Sequence, residues 1–181
     1  MTPRRPPCST EVLISAAEIA GRVSSLAETI AAKLPADMMI VSLLRGSFVF
    51  TADLIRALHL TGAHPQVDFI TLASYGAKTV SSGEITIVRD LTETVEGRDV
   101  LIVDDILESG RTLHFARQLV AERNARSIQI AVLLEKPGKR AVDIHADFVG
   151  FVIPDRFVVG YGLDYANYYR ELPYIGAVES V

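Results

Sequence analysis

The chain has 181 residues, the size of one ordinary domain, enough to bury roughly 70% of the surface its unfolded form exposes. An apolar share of 49% against 22% charged residues excludes intrinsic disorder and leaves apolar surface for self-association. With 18 Lys and Arg against 22 Asp and Glu, the net charge of -4 offers duplex nucleic acid no electrostatic footprint.

Cys8 is the only cysteine, which excludes an intrachain disulfide framework or a thiolate-rich metal site and suits a reducing interior. Residues 1–11 open on two arginines among prolines, without the apolar stretch of an export signal, and read as a flexible tail. The longest apolar run, Ile130 to Leu134, is five residues, whereas a membrane span needs about 18. A soluble, cytoplasmic protein with no membrane partner is expected.

After Val12-Leu13-Ile14, a Ser15 and Glu18 capping box starts a helix expected over Ala16 to Lys33, with Pro35 ending it. Met38 to Leu44 reads as a strand, Arg45-Gly46-Ser47 as a tight turn, and Phe48 to Leu60 as a helix. Val67 to Ala73 and Glu84 to Val88 read as strands, joined by a polar, glycine-bearing mobile loop over 74–83. Val100 to Val103 is uniformly apolar, the pattern of a parallel strand covered on both faces. A loop over Asp104 to Gly110, a helix over Arg111 to Arg123 and a strand over Ser127 to Leu134 follow. Two short strands between Phe148 and Tyr161, broken at Pro154-Asp155, are expected to cover the loop face. Strands alternating with helices predict one doubly wound, parallel α/β domain whose ligands sit beyond the carboxyl ends of the strands, after Leu44, Val103 and Leu134.

The most informative stretch runs from Val100 through Asp104-Asp105 to Glu108-Ser109-Gly110-Arg111-Thr112. Backbone N–H groups of Ser109, Gly110, Arg111 and Thr112 can converge at the helix N-terminus to cradle one phosphate. Asp104 and Asp105 would repel phosphate, but they can accept from a sugar diol and hold a hydrated magnesium ion. The dinucleotide pattern GxGxxG and the triphosphate pattern GxxxxGK[ST] are both missing. Lys136, just past an apolar strand, can donate to a carbonyl on a bound ring. Phe157 and Tyr161 are either core aromatics or a platform for a base. Gly160 and Gly162 leave room for a ligand to approach the backbone. The four histidines have no spacing or partner acid that suggests a role.

From about Val12 to its end, the chain resembles the hypoxanthine-guanine family of purine phosphoribosyltransferases. The resemblance implies a type I phosphoribosyltransferase-like fold, helices on both faces of a doubly wound sheet, with a small hood and lid. It implies transfer of the phosphoribosyl group from phosphoribosyl pyrophosphate to a 6-oxopurine, with magnesium, in a homodimer or homotetramer. Leu44-Arg45-Gly46-Ser47 is similar to the family's pyrophosphate loop, which contains a non-proline cis peptide; Arg45, Gly46 and Arg170 would meet the diphosphate. Ser74 and Tyr75 match the closing lid, which would keep water from a cation-like ribose. Lys136 would recognise the 6-oxo group, Phe157 stack on the purine, Val158 contact it through its backbone, and Asp164 serve magnesium beside Asp104 and Asp105.

Glu108 stands where the family has aspartate as the base for purine N7, and its extra methylene moves the carboxylate outward by roughly 1.5 Å. Asp104 in place of Glu and Arg45 in place of Lys are milder departures. Two alternatives are a transferase for xanthine, adenine or a pyrimidine, and a non-catalytic sensor of phosphoribosyl pyrophosphate that regulates nucleic acid. Lys136 argues against adenine, whose amino group would meet donor with donor. The sensor would need a basic face, and only the two tail arginines hint at one.

Overall fold

A computed structural model describes residues 5–74 and 85–180. Strand β1 (Ser9–Ile14) leads into helix α1 (Ala16–Ala31). The capping box forms as expected: the Glu18 carboxylate accepts from Ser15 N–H at 2.8 Å, and the Ser15 hydroxyl accepts from Glu18 N–H at 3.3 Å. Then come β2 (Met39–Leu44), α2 (Phe48–Leu60), β3 (Gln66–Ser74), β4 (Ile85–Arg89), β5 (Asp99–Leu107), α3 (Arg111–Glu122), β6 (Ser127–Glu135), β7 (Phe148–Val152), β8 (Val158–Val159) and β9 (Ile175–Ser180).

The main sheet has six strands in the order β4-β3-β2-β5-β6-β7. All neighbours run parallel except β4, which lies antiparallel on the β3 edge. The central strands send alternate side chains to opposite faces, so an unbroken apolar run becomes two cores. Ile40, Leu101, Val103 and Leu133 pack with Ile19, Val23 and Ile30 of α1 and with Phe50, Leu54 and Leu58 of α2. Met39, Val41, Val100, Ile102 and Val132 pack on the other face with Leu113, Ala116 and Val120 of α3. Apart from Ala116, each of these buried side chains contributes roughly 1.5–3 kcal/mol by leaving water. The sheet's carboxyl edge is thereby a rigid base for the loops above it.

A second sheet, β1-β9-β8, is antiparallel throughout and forms the hood. It corrects the expected tail, because residues 9–11 already belong to β1. Nothing local announces β9; its residues become a strand by pairing with β1 far away in sequence. Three further expectations shift. Helix α1 stops at Ala31. Strand β7 joins the main sheet beside β6, so of the two expected short strands β8 is the one in the hood, paired with β9. Strand β5 runs through the acid pair to Leu107, because β6 continues alongside as its parallel partner as far as Glu135.

Candidate active site

Because β5 continues past Val103, Asp104 and Asp105 are held on a strand and not on a loop. Asp104 is buried and Asp105 partly so. Each Oδ1 accepts from the next backbone N–H at 2.9 Å, Asp105 N–H for Asp104 and Ile106 N–H for Asp105. The strand gives way to Glu108, Ser109 and Gly110, and α3 starts at Arg111. Gly110 has φ +80°, and a Cβ there would lie 2.5 Å from Ile144 Cγ2, so only glycine fits. A left-handed residue entering a helix makes successive N–H groups converge as an anion nest. The Ser109 hydroxyl accepts from Arg111 N–H at 3.4 Å. Among the described residues, no carbonyl takes the N–H of Ser109, Gly110 or Thr112. These donors face a polar cavity of about 190 Å³ lined by Asp104, Glu108, Ser109, Gly110 and Thr112. A groove of about 1040 Å³ between α1, α2 and residues 170–173 is larger, but its walls are mostly apolar and include neither acid of the pair nor any residue of the 108–112 turn.

The turn after β2 carries the non-proline cis peptide, between Leu44 and Arg45. Gly46 lies directly against the acid pair: a Cβ there would fall 1.5 Å from Asp105 Oδ2. Gly162, at φ +102°, closes the third side, since its Cβ would lie 2.2 Å from the Gly46 carbonyl. The room at Gly160 and Gly162 is thus filled by protein backbone, that of Tyr174 and Gly46. This corrects the expectation that a ligand uses it. Beneath the turn, the buried Ser42 hydroxyl lies 2.8 Å from Ser47 Oγ and 2.7 Å from Thr51 Oγ1. Ser47 Oγ also donates to the Leu43 carbonyl, so the turn is held from below. Arg45 is exposed and its Nη1 donates to Asn167 Oδ1 at 3.4 Å.

On the other side of the cradle, Lys136 is buried, with its Nζ 3.5 Å from Glu108 Oε2. Phe157 is 50% exposed, its ring edge-on to Tyr165 with centroids 5.7 Å apart. That exposure leaves a ring face for a flat ligand, which Tyr161 does not offer: it is buried and its hydroxyl donates to Asp53 Oδ2 at 2.5 Å. Val158 is buried in β8. Asp164 and Arg170 hold each other at 2.6 Å, while Asp164 Oδ2 accepts from Asn167 N–H at 2.7 Å. Arg170 Nη1 donates to the Gly162 carbonyl at 2.5 Å. Of the two lid candidates, Ser74 ends β3, and Tyr75 lies outside the described residues with the rest of the expected loop.

Two basic residues were overlooked because in the sequence they sit in a Pro-Gly turn, where cations are normally solvated. Arg140 Nη1 donates to the carbonyls of Leu107 at 3.0 Å, Glu108 at 2.5 Å and Lys136 at 3.2 Å, and its Nη2 pairs with Glu135. One guanidinium fork therefore ties the ends of β5 and β6 together. Lys139 reaches both Glu108 and Asp155. No sequence signal separates either from an ordinary surface cation.

Burial, followed by the charge of Asp105, raises the proton affinity of Asp104 well above the usual carboxylate range. Burial raises Asp105 as well, against the pull of nearby Arg170. Among the described residues, no three His, Cys, Asp or Glu side chains form a metal cage. Magnesium usually takes one or two carboxylates and fills its remaining positions with water and phosphate oxygens, and an all-oxygen acid pair beside open N–H groups fits that demand. The acid pair also has a cost. An acid raised on folding binds more protons folded than unfolded, so its penalty is absent in acid and grows as pH rises through the unfolded value. Asp104→Asn should therefore raise Tm, and the gap to wild type should widen between pH 4 and pH 8 in thermal melts without ligand. A gap that narrows over that range would refute the strained pair.

A family model for the phosphoribosyl transferase domain matches residues 13–166. The hypoxanthine phosphoribosyltransferase of Escherichia coli is 46% identical over 173 residues, covering 94% of this chain and 96% of that one. The hypoxanthine-guanine phosphoribosyltransferase of Bacillus subtilis is 47% identical over 170 residues, 93% of each chain. A crystal structure of a hypoxanthine phosphoribosyltransferase from Staphylococcus aureus superposes with a TM-score of 0.86 at 42% identity, covering 93% of this chain and 91% of that one. The chain belongs to the hypoxanthine-guanine phosphoribosyltransferase family.

Proposed function

We propose that this protein salvages 6-oxopurines, transferring the 5-phosphoribosyl group of phosphoribosyl pyrophosphate to N9 of hypoxanthine or guanine and releasing pyrophosphate. The observation that carries this reading is the meeting of three pieces at one edge of the sheet. These are the open N–H groups of Ser109, Gly110 and Thr112, the acid pair Asp104 and Asp105, and Gly46 pressed against Asp105. The cradle suits the 5′-phosphate, together with the Arg111 N–H. The acids suit the ribose hydroxyls, and the turn at Arg45 and Gly46, with Arg170, suits the diphosphate.

The base side follows from Lys136 and Glu108. O6 and N7 lie on one edge of a purine. An ammonium that donates to O6, with a carboxylate oxygen 3.5 Å from it, sets the carboxylate facing N7. Phe157 supplies the exposed ring face for stacking and Val158 the backbone contact. As the C1′–oxygen bond to pyrophosphate breaks, the N9–C1′ bond forms, the leaving electrons go to pyrophosphate and the N7 proton passes to Glu108. The protein's part is positioning and charge placement around a cation-like ribose. Magnesium held by Asp104 and Asp105, with Asp164 serving an ion on the diphosphate, would make the leaving group less negative.

The decisive experiment incubates the protein with phosphoribosyl pyrophosphate, magnesium and hypoxanthine, guanine, xanthine or adenine in turn. IMP and GMP are the expected products, and adenine should give none. Failure of every 6-oxopurine to react would reject the assignment. The same reading includes a cytoplasmic location, which the free Cys8 fits, and a homodimer or homotetramer, for which the apolar groove beside α1 and α2 supplies surface. No helix among the described residues is long and apolar enough to cross a membrane.

A further inference from the structure

We propose that Lys139 is a positioning residue that holds the Glu108 carboxylate in place and fastens it to the hood. The proposal rests on the role just given to Glu108. Its ground is a chain of four charges, Lys136–Glu108–Lys139–Asp155, that crosses from the loop after β5 to the segment leading into β8. Lys136 Nζ stands 3.5 Å from Glu108 Oε2, and Lys139 Nζ stands 3.4 Å from Oε1. One ammonium on each oxygen fixes the plane of the carboxyl group as well as its position. Lys139 Nζ is also 2.7 Å from Asp155 Oδ2, and Asp155 lies two residues before Phe157.

Glutamate has one more rotatable bond than aspartate, so its carboxylate sweeps a wider arc unless something restrains it. Lys136 restrains it only until a purine binds, when its ammonium must also donate to O6. Lys139 touches the opposite oxygen and remains available. In the same contact, the candidate proton acceptor at the purine edge and the segment that carries the candidate stacking ring share one tether. Glu108 and Lys139 are partly exposed, 38% and 46% by side chain, and such pairs add little to stability. Catalysis is more sensitive than stability here, since a 1 Å misplacement of a reacting group can cost about a hundredfold.

The test measures kcat and both KM values for Lys139→Ala, Lys139→Arg and Asp155→Asn beside the wild type. Lys139→Ala should lower kcat for IMP formation about ten- to a hundredfold with the KM for phosphoribosyl pyrophosphate and the Tm unchanged. Lys139→Arg should restore kcat to within a few-fold, and Asp155→Asn should fall between the two. In a Glu108→Asp background the shorter carboxylate no longer reaches Lys139, so adding Lys139→Ala should change kcat little. Wild-type kcat in Lys139→Ala, or an equal loss in both backgrounds, would overturn the inference while leaving the purine transfer intact. A wild type that forms no IMP would instead overturn the proposed function and this inference with it.

Discussion

Glu108→Gln should lower kcat for IMP formation about 10²- to 10⁴-fold, the usual loss when a positioned general base is removed. The amide keeps the length and shape of the side chain but cannot take the N7 proton. It also places an NH₂ donor or a weaker acceptor beside Lys136 and Lys139, where the carboxylate now sits 3.5 and 3.4 Å away. The pair with Lys139 is partly exposed and adds little to stability, whereas Lys136 is buried, so loss of its counter-charge should lower Tm. Phosphoribosyl pyrophosphate binding should persist, since the cradle uses backbone N–H groups. Steady-state kinetics with equilibrium binding of the donor substrate separates these outcomes, and turnover near wild type would remove Glu108 from the chemistry.

Gly46→Ala should cost about a hundredfold or more in kcat/KM, the scale of a misplacement near 1 Å. The new methyl cannot be accommodated with its neighbours in place, because it would stand 1.5 Å from Asp105 Oδ2, while Gly162 packs closely on the Gly46 carbonyl. Either Asp105 leaves the position proposed for the ribose, or the turn proposed for the diphosphate lifts from the strand. Both raise the KM for phosphoribosyl pyrophosphate, which initial-rate measurements at saturating hypoxanthine would read directly. A variant that keeps wild-type kcat/KM would show that the contact between the turn and the acid pair is not needed.

The readable parts of this molecule are those whose cause is local. The capping box at Ser15 and Glu18, the uninterrupted apolar run of Val100 to Val103 and the Ser109-Gly110 helix start each carry their own signal in adjacent residues. What escaped depends on partners distant in the chain. Strand β5 runs through Asp104 and Asp105 because β6 lies beside it, and β9 exists because β1 pairs with it, across 160 intervening residues. Likewise, Arg140 and Lys139 look like surface cations until the turn that bears them folds back on Leu107 and Glu108. Gly162 reads as space for a ligand until the Gly46 carbonyl occupies it.

The hydroxyl trio of Ser42, Ser47 and Thr51 under the first turn has its own consequence. A support made of ammonium or carboxylate groups would add a permanent charge within a few ångströms of whatever anion rests above, and so alter its affinity. Three neutral hydroxyls can brace the backbone firmly while leaving the local electric field to the arginines and the acid pair, so the scaffold and the electrostatics of this corner can be varied independently.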